Sequence, residues 1–307
     1  NPGDNPWDAV ESLGELTVFD RTPPERIVER AANAEVVLTN KTPLTAGTLQ
    51  QLPDLKMISV LATGFNIVDV KAARDQGIEV CNVPVYGTDT VAQHVMAVLL
   101  TRCHHPLLHD QAVRAGDWQQ SGDFCFWKSP LIELVDKRIG IVGFGRIGRR
   151  VGELANAFGM QVAAFDLVRG QSPGYEPFKW ASIEEIFTES DVVSMHCPQT
   201  EENEKMVNRV LLNKMKPTAF FINAARGGLV DEQDLANALN DGVIAGAAVD
   251  VFSTEPVSTN NPLLAARNCL LTPHIAWATV EARRRLMAVT AENIAAYVHG
   301  NPINVVN

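Results

Sequence analysis

Short apolar runs alternate with longer segments in which apolar residues recur every three or four positions, over almost the whole chain. This alternation predicts strands joined by crossover helices, and hence a doubly wound parallel sheet. The strands predicted in the first part are Leu16–Phe19, Val36–Leu38, Met57–Leu61 and Ile78–Cys81. Thr22, before Pro23 and Pro24, predicts a helix start with a hydroxyl cap and proline in the first turn. Residues 1–4 are loop-like where such a domain normally opens on a strand, so we expect a short first strand to be missing before them.

A second, longer series of strands begins at Arg138. Its predicted strands are Ile139–Val142, Val162–Phe165, Val192–Met195, Ala219–Ile222, Ile244–Val249 and Cys269–Leu271. Before this series, Val91–Leu100 is too apolar for a surface helix and is expected to run between domains. After it, the helical stretch Val280–Val298 has to cross back to the first unit. We therefore expect an α/β fold with two doubly wound parallel-sheet domains, the discontinuous one over 1–88 and 280–307 and the other over 89–279.

The turn after the first strand of the second series carries the glycine motif Gly143-x-Gly145-x-x-Gly148. The helix that follows is predicted from Ile147, Val151, Leu154, Ala155 and Phe158. A further strand, Gln161–Phe165, then brings Asp166 about 20 residues beyond the glycines, where a carboxylate can accept from an adenosine ribose. Strand, glycine turn and helix together predict a Rossmann-type dinucleotide-binding domain. The alternative is a glycine turn in an ordinary βαβ unit, with an acid at the strand end by chance.

Composition narrows the partners and the compartment. A chain of 307 residues with 46% hydrophobic content can fill two cores. The formal charge of −10 argues against nucleic acid or an anionic membrane as the main partner. We expect a cytoplasmic protein, because no apolar run is long enough for a bilayer and no signal peptide opens the chain. The cysteines, odd in number and scattered, predict neither disulfides nor a metal site; they are Cys81, Cys103, Cys125, Cys197 and Cys269.

The connection between the two series, His104–Asp136, is poorly periodic and rich in aromatic residues. It carries Trp118, Phe124, Phe126 and Trp127. Exposed aromatic side chains of this kind invite burial by a partner. The alternative is a loop folded onto its own domain.

Several motifs identify the family that the chain resembles. They are Val60-Leu-Ala-Thr-Gly-Phe-Asn-Ile-Val-Asp69, Val91-Ala-Gln-His94, the glycine motif, His196-Cys-Pro198, Asn223-Ala-Ala-Arg-Gly-Gly-Leu-Val-Asp231, Val249-Asp-Val-Phe-Ser-Thr-Glu-Pro256 and Pro273-His-Ile-Ala276. With these, nearly the whole chain resembles the D-2-hydroxyacid dehydrogenases. Within them it is most similar to the glycerate dehydrogenase, or hydroxypyruvate reductase, branch. That similarity rests on Phe124-Cys-Phe-Trp127, Leu131-Ile-Glu-Leu134 and His274-Ile-Ala-Trp277.

The resemblance implies a catalytic trio. Arg226 precedes two glycines that permit a sharp turn, and its guanidinium offers a fork of donors to a carboxylate or ketone oxygen. By resemblance it orients the substrate; the alternative is a surface arginine paired with Asp231. Glu255 and His274 form the acid–base pair that ketone reduction needs, because a carboxylate stabilises the imidazolium and fixes its tautomer. Taken singly, His274 could be a loop histidine and Glu255 part of a turn.

The resemblance also implies binding residues. Thr63 and Gly64, in a turn after a strand, would anchor the substrate carboxylate through backbone N–H groups. Alternatively, or in addition, Gly64 permits the turn while Asn66 caps a helix. The implied cofactor is NAD, held by Thr90, Gly143, Gly145, Arg146, Ile147, Gly148, Asp166, Cys197, Pro198, Ala224, Arg226, Asp250 and His274. Thr90 would lie near the phosphates, Cys197 and Pro198 beside the adenosine, Ala224 near the nicotinamide ribose and Asp250 on the carboxamide.

The function implied is reduction of a small 2-oxo acid, of the hydroxypyruvate or glyoxylate type, to the D-2-hydroxy acid with NADH, and the reverse. Asp166 predicts NADH rather than NADPH, with Arg169 as counter-evidence. The resemblance further implies a homodimer formed by the aromatic connection, with Trp127 reaching the neighbouring active site. The rival functions are an NAD-sensing corepressor of the same fold and, less favoured, a formate dehydrogenase, which carries glutamine in place of Glu255.

Overall fold

The computed structural model describes residues 5–307, so the loop expected at residues 1–4 lies outside the described part. The chain divides into two compact units. The first contains residues up to Gly87 together with Ala278–Asn307, and the second is Thr88–Trp277. Among the described residues, no helix is long and apolar enough to cross a membrane, and no group of His, Cys, Asp or Glu could hold a metal ion.

The first unit is built on a three-stranded parallel sheet. Its strands are β1 (Val36–Thr39), β2 (Met57–Val60) and β3 (Glu79–Cys81), in the order β1-β2-β3. Its first helices are α1 (Asp8–Glu11), α2 (Ile27–Ala31), α3 (Ala46–Leu49) and α4 (Val70–Asp75). The central strand β2 is fully buried, as expected for a parallel strand covered on both faces.

Two predictions for this unit are wrong. Residues 16–19 form no strand within the described chain, so the predicted four strands are three. The segment is mostly exposed, and Phe19 lies under the Arg30 guanidinium, 4.2 Å from ring centroid to Cζ, with no strand beside it. The other error is the hydroxyl cap: proline does stand in the first turn, at Pro24 of a short 3-10 helix, but Pro23 takes the cap position and no side-chain cap is formed. Thr22 Oγ1 instead accepts from Arg30 Nη1 at 2.9 Å.

The second unit contains a seven-stranded sheet in which all neighbouring strands are parallel. The strands are β4 (Arg138–Val142), β5 (Gln161–Phe165), β6 (Phe178–Trp180), β7 (Val192–Met195), β8 (Phe220–Asn223), β9 (Gly246–Val249) and β10 (Cys269–Leu271). Their order is β10-β9-β8-β7-β4-β5-β6, so the winding reverses between β7 and β4. This is the strand order of a Rossmann-type sheet with one added strand. The six predicted strands are confirmed within two residues at each end, and β6 is an additional edge strand.

Helices cover both faces of this sheet. They are α5 (Thr88–His104), α6 (Pro106–Arg114), α7 (Asp117–Ser121), α8 (Arg146–Ala157), α9 (Ile183–Glu189), α10 (Arg209–Leu212) and α11 (Glu232–Asn240). One apolar core includes Phe187 and Phe221, and the other includes Leu99 and Val151 where α5 packs against α8. The aromatic connection expected to be irregular contains α6 and α7. Apolar burial on both faces confirms the predicted α/β fold class for this unit.

The last helix, α12 (Val280–Val298), has the predicted bounds and belongs to the first unit, where it packs against β2. The tail that follows pairs with β3 in an antiparallel bridge between Val305 and Cys81. Val306 N donates to Val80 O at 2.8 Å, and Val80 N donates to Asn307 Oδ1 at 2.8 Å. The tail thus satisfies backbone groups of an edge strand.

Candidate active site

The candidate residues of the second unit follow the carboxyl ends of its parallel strands. The glycine motif follows β4, Asp166 follows β5, Arg226 lies just past β8, Asp250 follows β9 and His274 lies just past β10. Carboxyl ends of parallel strands share one edge of the sheet, and ligands of such folds bind there. The topology therefore assembles these sequence-distant residues along one edge.

Glycine is required at two positions of the loop between β4 and α8. Gly143 has a φ of +93°, and a Cβ on it would lie 2.4 Å from Cys197 N. A Cβ on Gly148 would lie 2.1 Å from Gly143 O. Around Gly145, by contrast, no described atom comes within 4 Å of such a Cβ. The loop is therefore packed tightly at its ends and open at its middle glycine, where a ligand can approach the backbone.

The N-terminus of α8 is open to an anion. Its cap residue is Gly145, and among residues 5–307 no side chain caps it. The first N–H groups of an α-helix have no partner within the helix, and the helix dipole favours negative charge there. The loop and this helix start therefore fit the pyrophosphate of a dinucleotide.

Asp166 ties two loops together. Phe144 N donates to Asp166 Oδ2 at 2.7 Å, and Val168 N donates to Oδ1 at 3.3 Å. The carboxylate therefore holds the glycine loop against the segment after β5, while the half-buried side chain keeps lone pairs for further donors. Arg169 lies in the exposed part of that segment.

The segment after β7 meets the glycine loop through Cys197. Burial raises the pKa of the Cys197 thiol to about 11, so the thiol is not ionised at neutral pH. The preceding His196 bonds through Nε2 to Ser194 Oγ at 2.8 Å, and burial lowers its pKa to about 4. Both groups are neutral near neutral pH. Pro198 is exposed, and its carbonyl accepts from Asn203 Nδ2 at 2.8 Å.

Arg226 is exposed on a backbone that is fixed on both sides. Asn223 Nδ2 donates to Arg226 O at 2.9 Å, and a Cβ on Gly227 would lie 1.9 Å from Phe252 C. Among the described residues, the guanidinium donates one hydrogen bond, from Nη1 to Ala225 O at 2.7 Å, and enters no ion pair. The alternative pairing with Asp231 is therefore not formed.

Asp231 is engaged elsewhere. It caps α11 by accepting from the N–H groups of Gln233 and Asp234, both at 3.1 Å, and its Oδ2 lies 3.3 Å from Lys205 Nζ. These contacts hold the pKa of the Asp231 carboxyl below its usual range, with the bond from Asp234 as the largest cause. Arg226 thus keeps most of its donors for a ligand.

His274 and Glu255 are in direct contact. His274 Nδ1 lies 2.6 Å from Glu255 Oε2, and Phe252 N donates to Glu255 Oε1 at 3.1 Å. Since an ionised carboxylate only accepts, Nδ1 bears the hydrogen and donates it. His274 has a φ of +55°, and its backbone N–H is directed to Asp250 O at 2.8 Å. The pair is partly exposed, with 29% of each side chain accessible.

Asp250 is the buried anchor of the loop that carries His274. It is 2% exposed. Oδ1 accepts from Thr272 Oγ1 at 2.5 Å and from Ile275 N at 2.9 Å, and Oδ2 accepts from Ala276 N at 2.9 Å. Three donors on this loop therefore converge on one carboxylate, which leaves a lone pair of Oδ2 for a further donor.

The turn at Thr63 and Gly64 lies in the first unit, after β2. Thr63 Oγ1 donates to Val83 O at 2.9 Å, and Asn82 Nδ2 donates to Thr63 O at 2.7 Å. Neither bond involves the backbone N–H groups of Thr63 and Gly64, so the anion-binding role stays a prediction. The alternative cap is wrong, because α4 is capped by Asp69, which accepts from Ala72 N at 2.9 Å.

Comparisons with known proteins identify the family. Residues 96–276 match the model described as "D-isomer specific 2-hydroxyacid dehydrogenase, NAD binding domain". This chain belongs to that family. A hydroxypyruvate reductase from Blautia hydrogenotrophica is 45% identical over 310 residues, with 100% of this chain and 96% of the relative covered. A glycerate dehydrogenase from Methylorubrum extorquens is 42% identical over 285 residues, with 92% and 88% covered.

A solved structure is also similar to nearly the whole of this chain. An acyclic imino acid reductase in complex with NADPH and D-Arg has a TM-score of 0.87 at 31% identity, covering 98% of this chain and 94% of that one. The resemblance read from the sequence is thereby confirmed for family and fold, and NAD is the cofactor type that the matched domain binds.

One group at this dehydrogenase site was not predicted from the sequence as a site residue. Asn223, at the end of β8, is 1% exposed and bonds to the loop of Arg226. The sequence contains a signal for this role. An amide at the end of a buried strand needs a hydrogen-bond partner, and here the sequence Ala-Ala-Arg-Gly-Gly follows it directly. Thr90, in contrast, lies buried in the first turn of α5, and Ala224 is half-buried beside β8.

Proposed function

We propose that this protein is a dehydrogenase of the glycerate dehydrogenase and hydroxypyruvate reductase type. It reduces a small 2-oxo acid such as hydroxypyruvate or glyoxylate to the D-2-hydroxy acid with NADH, and catalyses the reverse. The observation that carries this proposal is the 2.6 Å contact between His274 Nδ1 and Glu255 Oε2 on the sheet edge that also bears Arg226 and the glycine loop. The names of the two relatives support the substrate class.

His274 is the proton donor in this proposal. Because Nδ1 is committed to Glu255, Nε2 is the atom that exchanges a proton with the substrate oxygen. During reduction, His274 gives that proton to the carbonyl oxygen, and during oxidation it takes the proton back. Glu255 stabilises the imidazolium, and its bond from Phe252 N keeps the carboxylate in place.

Arg226 holds and polarises the substrate. A guanidinium offers five donors in a fixed fork, and within the described part of the chain only one of those of Arg226 is used, at Ala225 O. The others suit the carboxylate and the carbonyl oxygen of a 2-oxo acid. Fixed positive charge at the oxygen lowers the barrier because negative charge develops there. The proposal assigns the second carboxylate anchor to the backbone at Thr63 and Gly64.

The second unit holds the cofactor in this proposal. When bound, NADH supplies the hydride that reduces the carbonyl carbon. The open backbone at Gly145 and the uncapped start of α8 suit its pyrophosphate. The residues assigned to the phosphates are Thr90, Gly143, Gly145, Arg146, Ile147 and Gly148. Those assigned to the adenosine are Asp166, Cys197 and Pro198, and those assigned to the nicotinamide half are Ala224, Arg226, Asp250 and His274.

We propose a preference for NADH over NADPH. The Asp166 carboxylate has lone pairs left after its two backbone bonds, which suit ribose hydroxyls and repel a 2′-phosphate. Two observations favour NADPH instead. Arg169 lies only three residues after Asp166 and carries the charge that a 2′-phosphate needs, and the similar imino acid reductase was solved with NADPH. The preference therefore rests on the position of Asp166 directly after β5, at the end of the strand next to β4.

We also propose that the protein forms a symmetric dimer through its aromatic connection. Phe124 is 89% exposed and Trp127 is 66% exposed on the single chain. Large apolar side chains at this exposure gain stability when a second surface covers them, and closed two-fold assemblies are the commonest kind. In this proposal Trp127 reaches the active site of the partner subunit.

We assign the reaction to the cytoplasm. All five cysteines are free, and Cys81 and Cys103 are buried. Burial raises the pKa of Cys81 to about 11, so its thiol is inert at neutral pH. Unpaired thiols are usual in a reducing compartment.

Two other functions compete with this proposal. An NAD-sensing corepressor of the same fold can keep the same trio and bind the cofactor without turnover. A formate dehydrogenase acts on a substrate that has no hydroxyl to deprotonate, so it does not need the acid–base pair that Glu255 and His274 form here. The net charge of −10 argues against direct binding to nucleic acid, and thus against a corepressor that touches DNA itself.

A panel of 2-oxo acids tests the proposal. NADH oxidation is followed with glyoxylate, hydroxypyruvate, pyruvate and longer 2-oxo acids, while NADH binding is measured separately by fluorescence. We expect saturable turnover, with the small substrates fastest. Tight NADH binding without turnover of any member of the panel would favour the sensing protein instead.

A further inference from the structure

The side chain of Asn223 is hydrogen-bonded to the backbone of both Ala225 and Arg226. Asn223 is the last residue of β8 and is 1% exposed. Ala225 N donates to its Oδ1 at 3.1 Å, and its Nδ2 donates to Arg226 O at 2.9 Å. Its own carbonyl accepts from Asp250 N at 2.9 Å. A side-chain amide carries an acceptor oxygen and a donor nitrogen at the same end, so asparagine can serve both Ala225 N and Arg226 O.

Arg226 depends on this bridge because little else fixes it. Its side chain is exposed and, within residues 5–307, donates a single hydrogen bond, to Ala225 O next to its own backbone. The direction of the guanidinium is therefore set by the backbone at residues 225 and 226. On the far side, Gly227 lies so close to Phe252 that no Cβ would fit. On the N-terminal side of Arg226, the backbone is held by the hydrogen bonds of Asn223.

We propose that Asn223 is a positioning residue for Arg226: its amide fixes the backbone from which the guanidinium reaches the substrate. This inference rests on the proposed function, since it presumes that Arg226 contacts a 2-oxo acid. Asn223 itself touches neither substrate nor cofactor in this view. A shift of about 1 Å in an orienting group can cost roughly 100-fold in rate, so loss of the bridge lowers activity through Arg226 alone.

The test is a double-mutant cycle with Asn223→Asp and Arg226→Ala. The aspartate keeps an acceptor for Ala225 N, loses the donor to Arg226 O and faces that carbonyl with an oxygen. We expect Asn223→Asp to lower kcat/KM for glyoxylate by roughly 10- to 100-fold. In the Arg226→Ala background, we expect the same change to have no further effect. NADH affinity, measured by fluorescence, is expected to be the same in Asn223→Asp as in the wild-type protein, and the same in the double variant as in Arg226→Ala.

Two further variants keep the test decisive. Asn208→Asp makes the same exchange at the start of α10, where Oδ1 accepts from Val210 N at 3.0 Å and Nδ2 donates to Lys205 O at 3.2 Å. It is expected to leave activity unchanged. If Asn223→Asp does not fold, as judged by circular dichroism and Tm, Asn223→Ser replaces it in the cycle, because it buries no charge and still loses the reach to Arg226 O.

The outcomes separate this inference from the proposed function. Equal losses from the Asn223 substitution in both backgrounds would overturn the positioning role, because the effect would not pass through the guanidinium. Near-native activity of Arg226→Ala alone would overturn the role of the arginine in the proposed function. A loss seen only when Arg226 is present supports both.

Discussion

The two sides of the second unit's sheet hold their functional groups differently. On the side of β8, β9 and β10, loops are fixed by buried polar groups, with Asn223 behind Arg226 and Asp250 behind His274. On the side of β4 and β5, Asp166 is half-buried and Leu167 is 91% exposed. The loops after β8, β9 and β10 are thus held rigidly by buried hydrogen bonds, whereas the segment after β5 is exposed and open to a ligand.

This difference suits the two halves of a dinucleotide-dependent reaction. Proton transfer and substrate orientation need positions held within fractions of an ångström, and buried hydrogen-bonded groups supply that rigidity. Recognition of an adenosine ribose needs charge of the right sign more than rigid geometry. Substitutions on the first side are therefore expected to change turnover, and those on the second to change cofactor preference by smaller factors.

The largest effect is expected from His274→Ala. Loss of the proton donor lowers kcat by roughly 10²–10⁴-fold, while NADH affinity changes little because the glycine loop is intact. Steady-state rates and NADH fluorescence titration measure the two quantities. His299→Ala, at the end of α12, is the control that removes an exposed histidine. A His274→Ala protein with near-native kcat on every 2-oxo acid would remove this residue from proton transfer.

Arg226→Ala should follow in size and differ in kind. The guanidinium acts on the bound substrate and in the transition state, so KM rises and kcat falls together. The ratio kcat/KM is expected to fall by roughly 10²-fold or more. If only KM rose, the arginine would be an anchor for the carboxylate without a part in the chemistry.

Asp166 tests the other side of the comparison, with a smaller expected effect. Asp166→Asn removes the negative charge but keeps an acceptor for Phe144 N, so the glycine loop stays tied. We expect the preference for NADH over NADPH to narrow by roughly tenfold, the size of one lost repulsion or charged bond. Asp166→Ala also removes the hydrogen bond from Phe144 N, and it is expected to weaken the binding of both NADH and NADPH. Comparable kcat/KM with the two cofactors in the wild-type protein would contradict the preference.

The smallest effect on the single chain is expected from Trp127→Ala. This side chain is exposed, so its loss leaves the Tm of the fold almost unchanged. In the proposed dimer it should alter the substrate profile of the neighbouring site while the dimer itself persists in sedimentation. A wild-type protein that is fully active as a monomer at micromolar concentration would refute the dimer, and an unchanged profile would remove Trp127 from the pocket.

Periodicity and strand-end motifs were sufficient for most of the fold. The strand Gln161–Phe165, the helix Val280–Val298 and the glycine loop were each predicted from local patterns that tertiary packing did not override. The prediction of a strand at Leu16–Phe19 was wrong because an apolar pattern does not show whether a neighbouring strand is present. The three-residue strand Phe178–Trp180 was too short to produce a readable period.

The candidate site was predictable in its residue types and less so in its bonds. Asp166 and Asp250 are both acids at strand ends, and the sequence treats them alike. In the folded chain, Asp250 accepts from three donors of the His274 loop, whereas Asp166 accepts from two backbone N–H groups and stays partly open. Apart from Val168, these partners lie 22 to 26 residues away in sequence, so no local pattern reveals them.

The configuration of the product tests the central claim most directly. Hydroxypyruvate is reduced by the wild-type protein with NADH, and the glycerate formed is resolved by chiral chromatography. Hydride delivery to one face of a carbonyl held by Arg226 and protonated by His274 predicts a single enantiomer, and the D-isomer-specific family that the chain matches predicts that it is D-glycerate. L-glycerate, a mixture of the two, or no glycerate at all despite NADH binding would contradict the proposed reaction.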